Sequence, residues 1–510
     1  MLSLTALLVS LIILFAGARS LDSWRRRRGL PYPPGPRGLP VIGCLFSVPK
    51  TYSWIKYDQW AKKYGGIISF SVCGQIVVVI SDLEVAEELL GRRSAIYSDR
   101  LKIPFYEMMD WSWFLLGMPF GERWRRGRKT AVRTLQPSQM PRYHDLLKSK
   151  VHKFLKVVRA NPAGFHESIG FMQGAIIMGA VYGYDLQGPD DYYLKIAQDA
   201  NLISRAIVLP GGQVLNDVPF LRYLPKFVPG VGFNYVRLGN RLGQEMVRSP
   251  FEMVKAQMDA GTAQQSITRD CLEQLEHSDD DHDAKALADV VGSLYIAGAD
   301  TTIISMASII MALASNPDIQ QRAQEEVDIL TRRARLPEFA DRPNLPYINA
   351  MCKEVLRWRV VAPLSFPHAV IEDDVYNGFF IPKGATVIPN IRAILNDPVR
   401  FPDPERFNPE RFLSSDGHTF VDDPVLSAAF GFGRRMCPGQ YLAEATLFIF
   451  TAALVSTFDV GKEKDAHGRE MPLECIYGGE ILSHPAPFKC SLVPRDGIAD
   501  ELISATSWGE

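Results

Sequence analysis

The sequence predicts a mainly α-helical protein with a small β-sheet region, which places it in the α+β class. Helical hydrophobic periodicity dominates the 510 residues, and alternating β-rich sequence is confined to two stretches. Hydrophobic residues make up 47% of the chain, enough for a large core, and no Gly/Ser-rich linker divides it. We expect an N-terminal segment over 1–21, a hinge over 22–45, one large domain over 46–495 and a tail over 496–510.

Both β-rich stretches carry turn residues that define their pairing. Ile67–Ile80 alternates apolar and polar residues around a central turn, which predicts a hairpin. Asp82 follows it and is expected to cap the next helix. The second stretch, Asp374–Ile388, contains the turn pair Asn377-Gly378 and is expected to form short strands.

The charge balance and the cysteines exclude several classes of protein. A net charge of −1 gives no general attraction to nucleic acid, so no nucleic-acid partner is expected. The seven cysteines are odd in number and form no C-x-x-C pairs, which argues against a disulfide framework and a structural zinc site. The nine histidines include no H-E-x-x-H spacing. These features indicate a reducing compartment.

The N-terminal segment predicts a membrane anchor. Leu2–Ala18 is almost wholly apolar and would span about 25 Å as a helix, close to the ~30 Å hydrocarbon core of a bilayer. A cleaved signal peptide and a buried core helix are the alternatives. Because the positive residues Arg25–Arg28 follow the apolar run, the positive-inside bias favours a single span with the rest of the chain in the cytosol. The proline-rich residues 31–40 predict a stiff spacer.

One thiol, Cys437, lies on a glycine-rich loop just before a predicted apolar helix. Gly433 and Gly439 allow this loop to bend sharply and to approach a flat ligand closely. Unpaired N–H groups at the start of the helix would stabilise a negatively charged sulfur. Arg435, two residues before the thiol, adds positive charge where a carboxylate of a ligand could lie. A buried, inert cysteine is the alternative interpretation.

The longest predicted helix, about Ala284–Ser315, has an unusual centre, Ala297–Thr302. A mid-helix glycine costs about 1 kcal/mol relative to alanine, and Asp300 and Thr301 are also poor helix formers. The segment is either the polar side of a packed helix or a local opening for a small ligand. In the second case a hydroxyl and a carboxylate are available to pass protons.

The loop around the thiol is similar to the haem-thiolate signature of the cytochrome P-450 family, F-x-x-G-x-R-x-C-x-G. The matching residues are Phe430, Gly433, Arg435, Cys437 and Gly439. The helix centre, with Ala297 and Gly298, resembles the oxygen-binding groove of the same family. The resemblance implies the cytochrome P-450 fold with one N-terminal transmembrane helix, and haem b with Cys437 as the axial thiolate. It also implies proton delivery by Asp300 and Thr301.

Other segments match motifs that bind the haem propionates in this family. Trp124 and Arg128 match W-x-x-x-R, and His368 and Arg435 match further propionate contacts. Arg100 is a weaker candidate. For His368 alone, a structural histidine would be the simpler interpretation.

The pair Glu354 and Arg357 lies at i,i+3 spacing on a predicted helix, where an exposed pair contributes only about 0.2–0.5 kcal/mol. The segment Phe401–Phe407 resembles the family's second arginine motif. The resemblance therefore implies a structural network of Glu354, Arg357 and Arg406 that supports haem retention.

The family resemblance implies a monooxygenase of the eukaryotic microsomal type, most similar to filamentous-fungal members of secondary metabolism, in the endoplasmic reticulum membrane. It implies O2 as co-substrate and NADPH electrons from a flavoprotein reductase, with a cytochrome b-type protein as a further donor. The basic cluster from Arg123 to Lys129 is either a solvated helix face or a docking surface for such a donor. Two alternatives remain: a haem-dependent isomerase or dehydratase that needs no external electrons, and a non-catalytic haem sensor or carrier.

The substrate is expected to be an apolar small molecule, such as a terpenoid, polyketide or alkaloid. By analogy with the family, the pocket draws on the segment Leu101–Phe120. Its apolar residues Phe105, Met108, Trp111 and Phe114 either line an apolar cavity or anchor the loop in the core.

Overall fold

The computed structural model of the protein describes residues 25–208, 219–224, 228, 232–275 and 281–506. The predicted membrane anchor, Leu2–Ala18, lies outside these residues. The chain folds into two compact units. Among the described residues, the first unit is formed by 25–101, Leu364–Ile394 and Phe432–Arg435, and the second by the other segments.

Helices dominate the described chain, as the hydrophobic periodicity predicts. The longer ones are α1 Ser53–Tyr64, α2 Glu122–Leu135, α3 His144–Ala160, α4 Phe165–Tyr182, α5 Tyr192–Val208, α6 Phe233–Asp259, α7 Ile267–Leu275, α8 Asp281–Gly298, α9 Thr301–Ser315, α10 Pro317–Thr331, α11 Pro346–Trp358, α12 Gln440–Thr457 and α13 Gly497–Ala505. Shorter α-helical turns are Leu83–Ala86, Ser94–Tyr97, Pro104–Met108 and Ile391–Leu395, and Glu87–Arg92 is a π-helical turn. The 3₁₀ segments are Pro137–Tyr143, Pro162–Gly164, Pro219–Tyr223, Phe339–Asn344, Pro409–Phe412, Pro424–Phe430 and Gly433–Arg435.

The strands form one five-stranded sheet and two strand pairs. They are β1 Ile67–Val72, β2 Gln75–Ile80, β3 Asp99–Arg100, β4 His368–Ala369, β5 Asp374–Tyr376, β6 Phe379–Ile381, β7 Thr386–Pro389, β8 Phe458–Lys462 and β9 Cys490–Pro494. The larger sheet has the order β1-β2-β7-β4-β3, in which β2 and β7 run parallel, and β5-β6 and β8-β9 form the antiparallel pairs. A mainly helical chain with small sheets confirms the predicted fold class.

Local sequence signals account for the first hairpin. Ile67 pairs with Ile80 across β1 and β2, and Cys73 and Gly74 make the turn with positive φ values of 47° and 81°. Asp82 caps the following helix, because its Oδ1 accepts the Val85 N–H at 2.9 Å. Both predictions from this stretch are confirmed.

The first unit encloses its own hydrophobic core between α1 and the larger sheet. Trp60, Ile68, Phe70 and Val79 are buried in it. The proline-rich segment lies along β1, where the Ser69 N–H donates to the Pro34 carbonyl at 2.9 Å and the Ser69 hydroxyl donates to the Pro33 carbonyl at 2.6 Å. This segment is therefore held against the sheet by main-chain hydrogen bonds.

The second unit is built around helices that are apolar on all sides. Every residue of α9 from Ile304 to Ala314 is buried, and α12 is buried from Ala445 to its end at Thr457. Among the described residues, the helical stretch Asp283–Ser315 and α12 are long and apolar enough to cross a membrane, but most of each is buried inside the protein. Burial of this kind is typical of core helices.

The predicted helix over Ala284–Ser315 is not continuous. α8 ends at Gly298 and α9 begins at Thr301, and Asp300 between them has φ −125° and ψ −36°, outside the helical region. The prediction of one continuous helix is therefore wrong at its centre, where the structure has an interruption at the residues for which the alternative predicted a local opening. Glycine and aspartate reduce the free-energy cost of interrupting the helix at this point, because both are poor helix formers.

Candidate active site

The opening between α8 and α9 exposes main-chain carbonyl groups that side chains then satisfy. The Gln173 amide donates to the Gly298 carbonyl at 2.7 Å, and the Asn201 amide donates to the Ile296 carbonyl at 3.3 Å. The Thr301 hydroxyl donates to the Ala297 carbonyl at 3.1 Å. These bonds compensate for the helical hydrogen bonds that the interruption removes, so the opening is a stable feature of the fold.

One face of this opening is accessible although the surrounding helix is buried. Ala297 is exposed and Thr301 is half-buried, whereas residues 290–296 are buried. Gly298 faces the protein, because a Cβ there would lie 2.5 Å from Ile177 Cδ1 on α4. The small side chain of Ala297 and the hydroxyl of Thr301 therefore border open space at one level of the helix.

The side chain of Asp300 contacts different residues from the side chain of Thr301. His484 Nε2 lies 3.2 Å from Asp300 Oδ2, and Arg205 Nε lies 3.9 Å from the same oxygen. Burial by itself would raise the pKa of Asp300, but its hydrogen bond with His484 and its electrostatic interactions with His484 and Arg205 outweigh the effect of burial, so the pKa is lowered. Asp300 is therefore a carboxylate at neutral pH.

Cys437 is held by a main-chain bond across its loop. Its N–H donates to the Phe430 carbonyl at 2.8 Å, and α12 begins three residues later at Gln440. The N–H groups of Gly439 and Gln440 donate to the sulfur. The side chain has accessible surface although protein groups surround the sulfur closely enough to desolvate it. A thiol in this position can meet a ligand inside the protein.

The free thiol of Cys437 is held neutral. Burial raises its pKa, and the Gly439 N–H, the charge of Arg128 and the Gln440 N–H lower it by less. A bound metal cation would remove the proton, because a coordinating thiol is deprotonated outright. The donors at the helix start would then stabilise the thiolate.

Trp124 and Arg128 lie on one side of α2. Trp124 is buried and packs against Phe120, with the ring centroids 5.3 Å apart. The Arg128 guanidinium donates to the carbonyl of Met436, the residue before Cys437. The W-x-x-x-R pair is therefore next to the thiol loop, as its predicted role requires.

Gly433 lies very close to a backbone group of the same unit. Its φ is +54°, and a Cβ at this position would lie 2.1 Å from the Leu90 carbonyl oxygen in the π-helical turn. Only glycine satisfies both constraints, because other residues rarely adopt this conformation and would clash with the carbonyl.

Gly433→Ala is expected to lower haem content and thermal stability together, because the loop must shift away from Leu90. The matched control is Gly74→Ala, which also has a positive φ, +81°, but has no atom within 4 Å of an added Cβ. Gly74→Ala should lower the free energy of unfolding only by about 1–2 kcal/mol, the cost of placing a residue other than glycine in the left-handed conformation. Equal haem content in the two variants, measured per folded chain, would refute the importance of the close approach.

Arg100, His368 and Arg435 form a cluster in the first unit. Arg100 donates to the Phe366 carbonyl at 2.6 Å, Arg435 Nε donates to the Ser98 carbonyl at 2.8 Å, and all three residues are buried. Because a carbonyl only accepts, His368 Nδ1 carries the hydrogen that bonds the Tyr97 carbonyl at 2.8 Å.

The same cluster is strongly cationic. Burial, with the charges of Arg100 and Arg435, lowers the pKa of His368 well below its ordinary value, and the bond to the Tyr97 carbonyl opposes this only in part. His368 is therefore neutral beside two guanidinium groups. Two buried cations and an imidazole are a suitable donor set for a carboxylate.

Glu354 and Arg357 form a buried bidentate ion pair. Arg357 Nε and Nη2 donate to Glu354 Oε2 and Oε1 at 2.7 and 2.8 Å, and neither side chain has accessible surface. The Asn408 N–H also donates to Glu354 at 2.8 Å, and Arg357 donates to the Pro404 carbonyl at 2.8 Å. The pair therefore ties α11 to the segment around residue 406.

Arg406 has a different part in this network from the one predicted. Its residue is exposed, and its main-chain carbonyl accepts from Arg357 Nη2 at 3.5 Å. The guanidinium expected from Arg406 is supplied by Arg411, whose Nε lies 3.5 Å from Glu354 Oε1. The 3₁₀ segment Pro409–Phe412 turns Arg411 inward. The sequence P-E-R-F occurs both at 404–407 and at 409–412, so the motif alone did not distinguish the two arginines.

Two further groups of predicted residues have defined environments. In the basic cluster of α2, Arg123 pairs with Asp289 of α8 at 2.7 Å, and Arg126 pairs with Glu122 at 3.2 Å on the exposed face. Phe105, Trp111 and Phe114 are buried in the core, and the Trp111 indole N–H donates to the Gly239 carbonyl at 2.8 Å. Met108 is only partly buried. Phe105, Trp111 and Phe114 are therefore part of the packed core in this structure.

The sequence comparisons agree with these motifs. The family model described as Cytochrome P450 matches residues 33–491. The chain belongs to the cytochrome P450 family. The chain is 37% identical to Cytochrome P450 monooxygenase 208 of Postia placenta over 93% of this chain and 92% of that protein. It is 35% identical to Cytochrome P450 monooxygenase COX1 of Coprinopsis cinerea, over 92% of each chain.

A third relative, Tryptamine 4-monooxygenase of Psilocybe cyanescens, is 33% identical over 98% of this chain and 99% of that protein. The protein is accordingly a cytochrome P450 monooxygenase, similar to fungal members of the family. The family implies a haem-thiolate cofactor, O2 and an electron donor.

The residues present fit a haem. In the second unit, Cys437 offers an accessible sulfur with two N–H donors, and Ala297 leaves an open face on a buried helix. In the first unit, Arg100, Arg435 and His368 form a buried cationic set. In the second unit, a thiol that can become a thiolate and a small-residue face are chemically suited to the iron and the macrocycle of a haem. In the first unit, a buried cationic set is suited to carboxylates such as the propionates.

Three residues with specific contacts to this machinery were absent from the sequence predictions: Arg205, Arg411 and His484. Arg205 and His484 contact Asp300, and Arg411 contacts Glu354. For Arg411 the second copy of P-E-R-F was a sequence signal. No spacing rule links Arg205 and His484 to Asp300, because His484 is 184 residues from Asp300 along the chain. Only the tertiary fold brings them together.

Proposed function

We propose that this cytochrome P450 is a membrane-anchored monooxygenase that oxidises an apolar small molecule with O2 and NADPH-derived electrons, in fungal secondary metabolism. The observation that carries the proposal is the opening between α8 and α9. It presents Ala297 and Thr301 to open space, and the ionised Asp300 lies at its edge. A haem carrier or sensor, which only binds haem, does not need a carboxylate and a hydroxyl at a helix interruption.

In this proposal residues 46–495 form the haem domain, and the thiolate of Cys437 would hold the iron of haem b. When bound, the haem activates dioxygen, and ligation by a thiolate favours cleavage of the O–O bond. The N–H donors of Gly439 and Gln440 stabilise the thiolate. Arg100, Trp124, Arg128, His368 and Arg435 are assigned to the propionates, and Phe430, Gly433 and Gly439 to the shape of the loop.

The proton donors are assigned to Thr301 and Asp300. The Thr301 hydroxyl faces the open side while it donates to the Ala297 carbonyl, so a rotation of its side chain would free the hydrogen for donation into the open space. Asp300 supplies the next proton from the solvent side. General acid catalysis of this kind contributes about 10²–10⁴-fold to a rate.

The electrons are assigned to an NADPH-dependent flavoprotein reductase, with a cytochrome b-type protein as a second donor. Arg125, Arg126 and Lys129 are exposed on α2 and would attract an acidic partner, although Glu122 pairs with both arginines. Arg123 has a structural role instead, because it pairs with the largely buried Asp289.

We assign the protein to the endoplasmic reticulum membrane, with a single N-terminal span and a cytosolic catalytic domain. Large apolar side chains of the first unit support a membrane contact. Leu39, Val41 and Phe46 are 59%, 67% and 81% exposed. Exposed apolar groups on consecutive turns of a segment that follows four arginines are typical of a membrane-facing surface.

The substrate class proposed is a terpenoid, polyketide or alkaloid. The name of the relative Tryptamine 4-monooxygenase supports small aromatic alkaloids as one class to test. The decisive experiment combines yeast microsomes that contain the protein and a reductase with ¹⁸O2, NADPH and compounds of each class. Incorporation of ¹⁸O into product that depends on NADPH is expected. Conversion without NADPH and reductase would instead support the isomerase or dehydratase, and haem binding without conversion the sensor.

Thr301→Val should uncouple NADPH consumption from oxygenation. Valine keeps the shape but removes the hydroxyl, so we expect product per NADPH to fall by about 10-fold or more and hydrogen peroxide to rise. Thr301→Ser should restore most of the coupling. The matched control is Thr331→Ala, which removes a hydroxyl that also donates to the carbonyl four residues earlier, at 2.9 Å, on α10. Unchanged coupling in Thr301→Val would contradict the assigned role.

A further inference from the structure

Asp300 is held by a histidine from a distant part of the chain. Its carboxylate is buried, and His484 Nε2 lies 3.2 Å from Oδ2. Because an ionised carboxylate only accepts hydrogen bonds, Nε2 carries the hydrogen of this bond. Among the described residues, the charged groups that face Asp300 are His484 and Arg205 of α5, whose Nε is 3.9 Å from the same oxygen.

A small hairpin positions the imidazole. The Gly478 N–H donates to the His484 carbonyl at 2.7 Å, and the Ala486 N–H donates to the Ile476 carbonyl at 2.8 Å. Ser483 fixes the tip, because its N–H donates to the Val361 carbonyl at 2.9 Å. His484 therefore belongs to a hydrogen-bonded unit.

The hairpin is also anchored to α9, the helix that begins beside Asp300. The Tyr477 hydroxyl lies 2.8 Å from the Ser308 hydroxyl, and Tyr477 pairs with Pro485 across the hairpin. This contact fixes the position of the histidine relative to the opening between α8 and α9. The hydrogen bonds within the hairpin and its contact with α9 therefore fix the position of His484 relative to Asp300.

The two partners of Asp300 differ in what they can do. Arg205 holds its protons in proteins under all ordinary conditions, so it can only attract the carboxylate. An imidazole can release a proton from one nitrogen while it takes another on the second. The His484 side chain is 24% exposed and that of Asp300 is 12% exposed, so the histidine is the more accessible of the two.

We propose that His484 is the solvent-side positioning residue of Asp300. Its imidazole orients the Asp300 carboxylate and passes protons to it. This inference rests on the proposed monooxygenase function. In each transfer the Nε2–H bond breaks and its proton moves to Asp300 Oδ2, while a hydronium ion of the solvent gives a proton to Nδ1 of the same ring and becomes water. The ring keeps the same number of protons, and one proton has moved from solvent to the carboxylate. A return of the ring to its first tautomer completes the cycle.

The electrostatics of Asp300 agree with this arrangement. Burial alone would raise the pKa of the carboxyl group, and the hydrogen bond from His484 is the largest contribution that lowers it. Removal of the histidine would therefore leave a buried carboxylate with the charge of Arg205 as the remaining interaction that lowers its pKa. Its pKa should rise, and the group should be protonated at a higher pH.

The test compares His484→Gln and His484→Phe in the holoenzyme. Glutamine keeps a hydrogen-bond donor but cannot relay a proton, and phenylalanine removes both functions. The matched control is His166→Gln, because His166 is also a half-buried histidine whose Nε2 lies 2.9 Å from a carbonyl of the C-terminal segment, that of Phe488. The control should retain wild-type behaviour.

The first readout is the infrared band of the protonated Asp300 carboxyl group as a function of pH, assigned by its absence in Asp300→Asn. We expect the midpoint to increase from wild type to His484→Gln to His484→Phe. This measurement needs no turnover and no substrate. An unchanged midpoint in His484→Phe would overturn the pairing, and the glutamine variant still tests it if the phenylalanine variant does not fold.

The second readout is product per NADPH. Both His484 variants should lose about 10-fold in coupling, at the low end of general acid effects because water can partly replace the imidazole. Wild-type coupling in His484→Gln would overturn proton transfer by the histidine. If the wild-type protein itself fails to oxygenate any substrate, the proposed function fails, and the infrared midpoints still decide whether His484 controls Asp300.

Discussion

Glu354→Ala is expected to lower the free energy of unfolding by about 3–5 kcal/mol, because it leaves the Arg357 guanidinium buried without its counter-ion. Both side chains have no accessible surface, and two hydrogen bonds of 2.7 and 2.8 Å join them. The variant also removes the acceptor of the Asn408 N–H, a bond of 2.8 Å. The measurement is the free energy of unfolding from denaturant titration of the purified protein, with haem content followed in parallel.

The matched control for this prediction is Glu273→Ala. Glu273 pairs with Arg269 at 2.8 Å, but their side chains are 47% and 39% exposed. An exposed helix pair contributes only about 0.3–0.5 kcal/mol, so the control should unfold almost as wild type does. Equal free energies of unfolding for Glu354→Ala and Glu273→Ala would show that the buried pair stabilises the fold no more than an exposed pair does.

A double variant separates the pair from its surroundings. Glu354→Gln with Arg357→Met replaces both charges by neutral groups of similar length. Because no uncompensated charge remains, its loss of stability should be smaller than the sum of the two single losses. An additive result would mean that the contacts of Arg357 with the Leu395 and Pro404 carbonyls outweigh its contact with Glu354.

Cys437→Ser is expected to abolish NADPH-dependent oxygenation while the chain remains folded. Serine fits the same loop and can accept from the Gly439 and Gln440 N–H groups, but it cannot supply a thiolate to the iron. Product formation in microsomes with reductase should fall to the level of membranes without the protein. The fold is followed by circular dichroism and by thermal unfolding.

The control for Cys437→Ser is another accessible thiol, Cys475, which is exposed and has no assigned role. Cys475→Ser should keep wild-type turnover. Turnover by Cys437→Ser at the wild-type rate would contradict the assignment of the axial ligand. Loss of turnover in both variants would point to a general effect of thiol removal.

Features determined by neighbouring residues were predictable from the sequence. The hairpin of β1 and β2 follows from alternation and a positive-φ turn, and the cap at Asp82 acts over three residues. Glu354 and Arg357 meet because i,i+3 residues share a helix face. The N–H donors around Cys437 follow in the same way, because α12 begins directly after its loop.

Features determined by packing between distant segments were not predictable. Propensity indicates that the centre of the α8 and α9 stretch is a weak helix, but only Gln173 and Asn201, which satisfy the freed carbonyls, allow a full interruption. The choice of Arg411 over Arg406 depends on a 3₁₀ turn. His484 reaches Asp300 through the tertiary fold alone.

The central claim is that the Cys437 thiolate holds the haem of this monooxygenase. The most direct test is the absorption spectrum of the reduced, carbon monoxide-saturated protein, recorded for wild type, Cys437→Ser and Cys475→Ser at equal haem concentration. We predict the spectrum typical of thiolate ligation for wild type and Cys475→Ser, and its complete absence in Cys437→Ser. A thiolate-type spectrum in Cys437→Ser would contradict the claim.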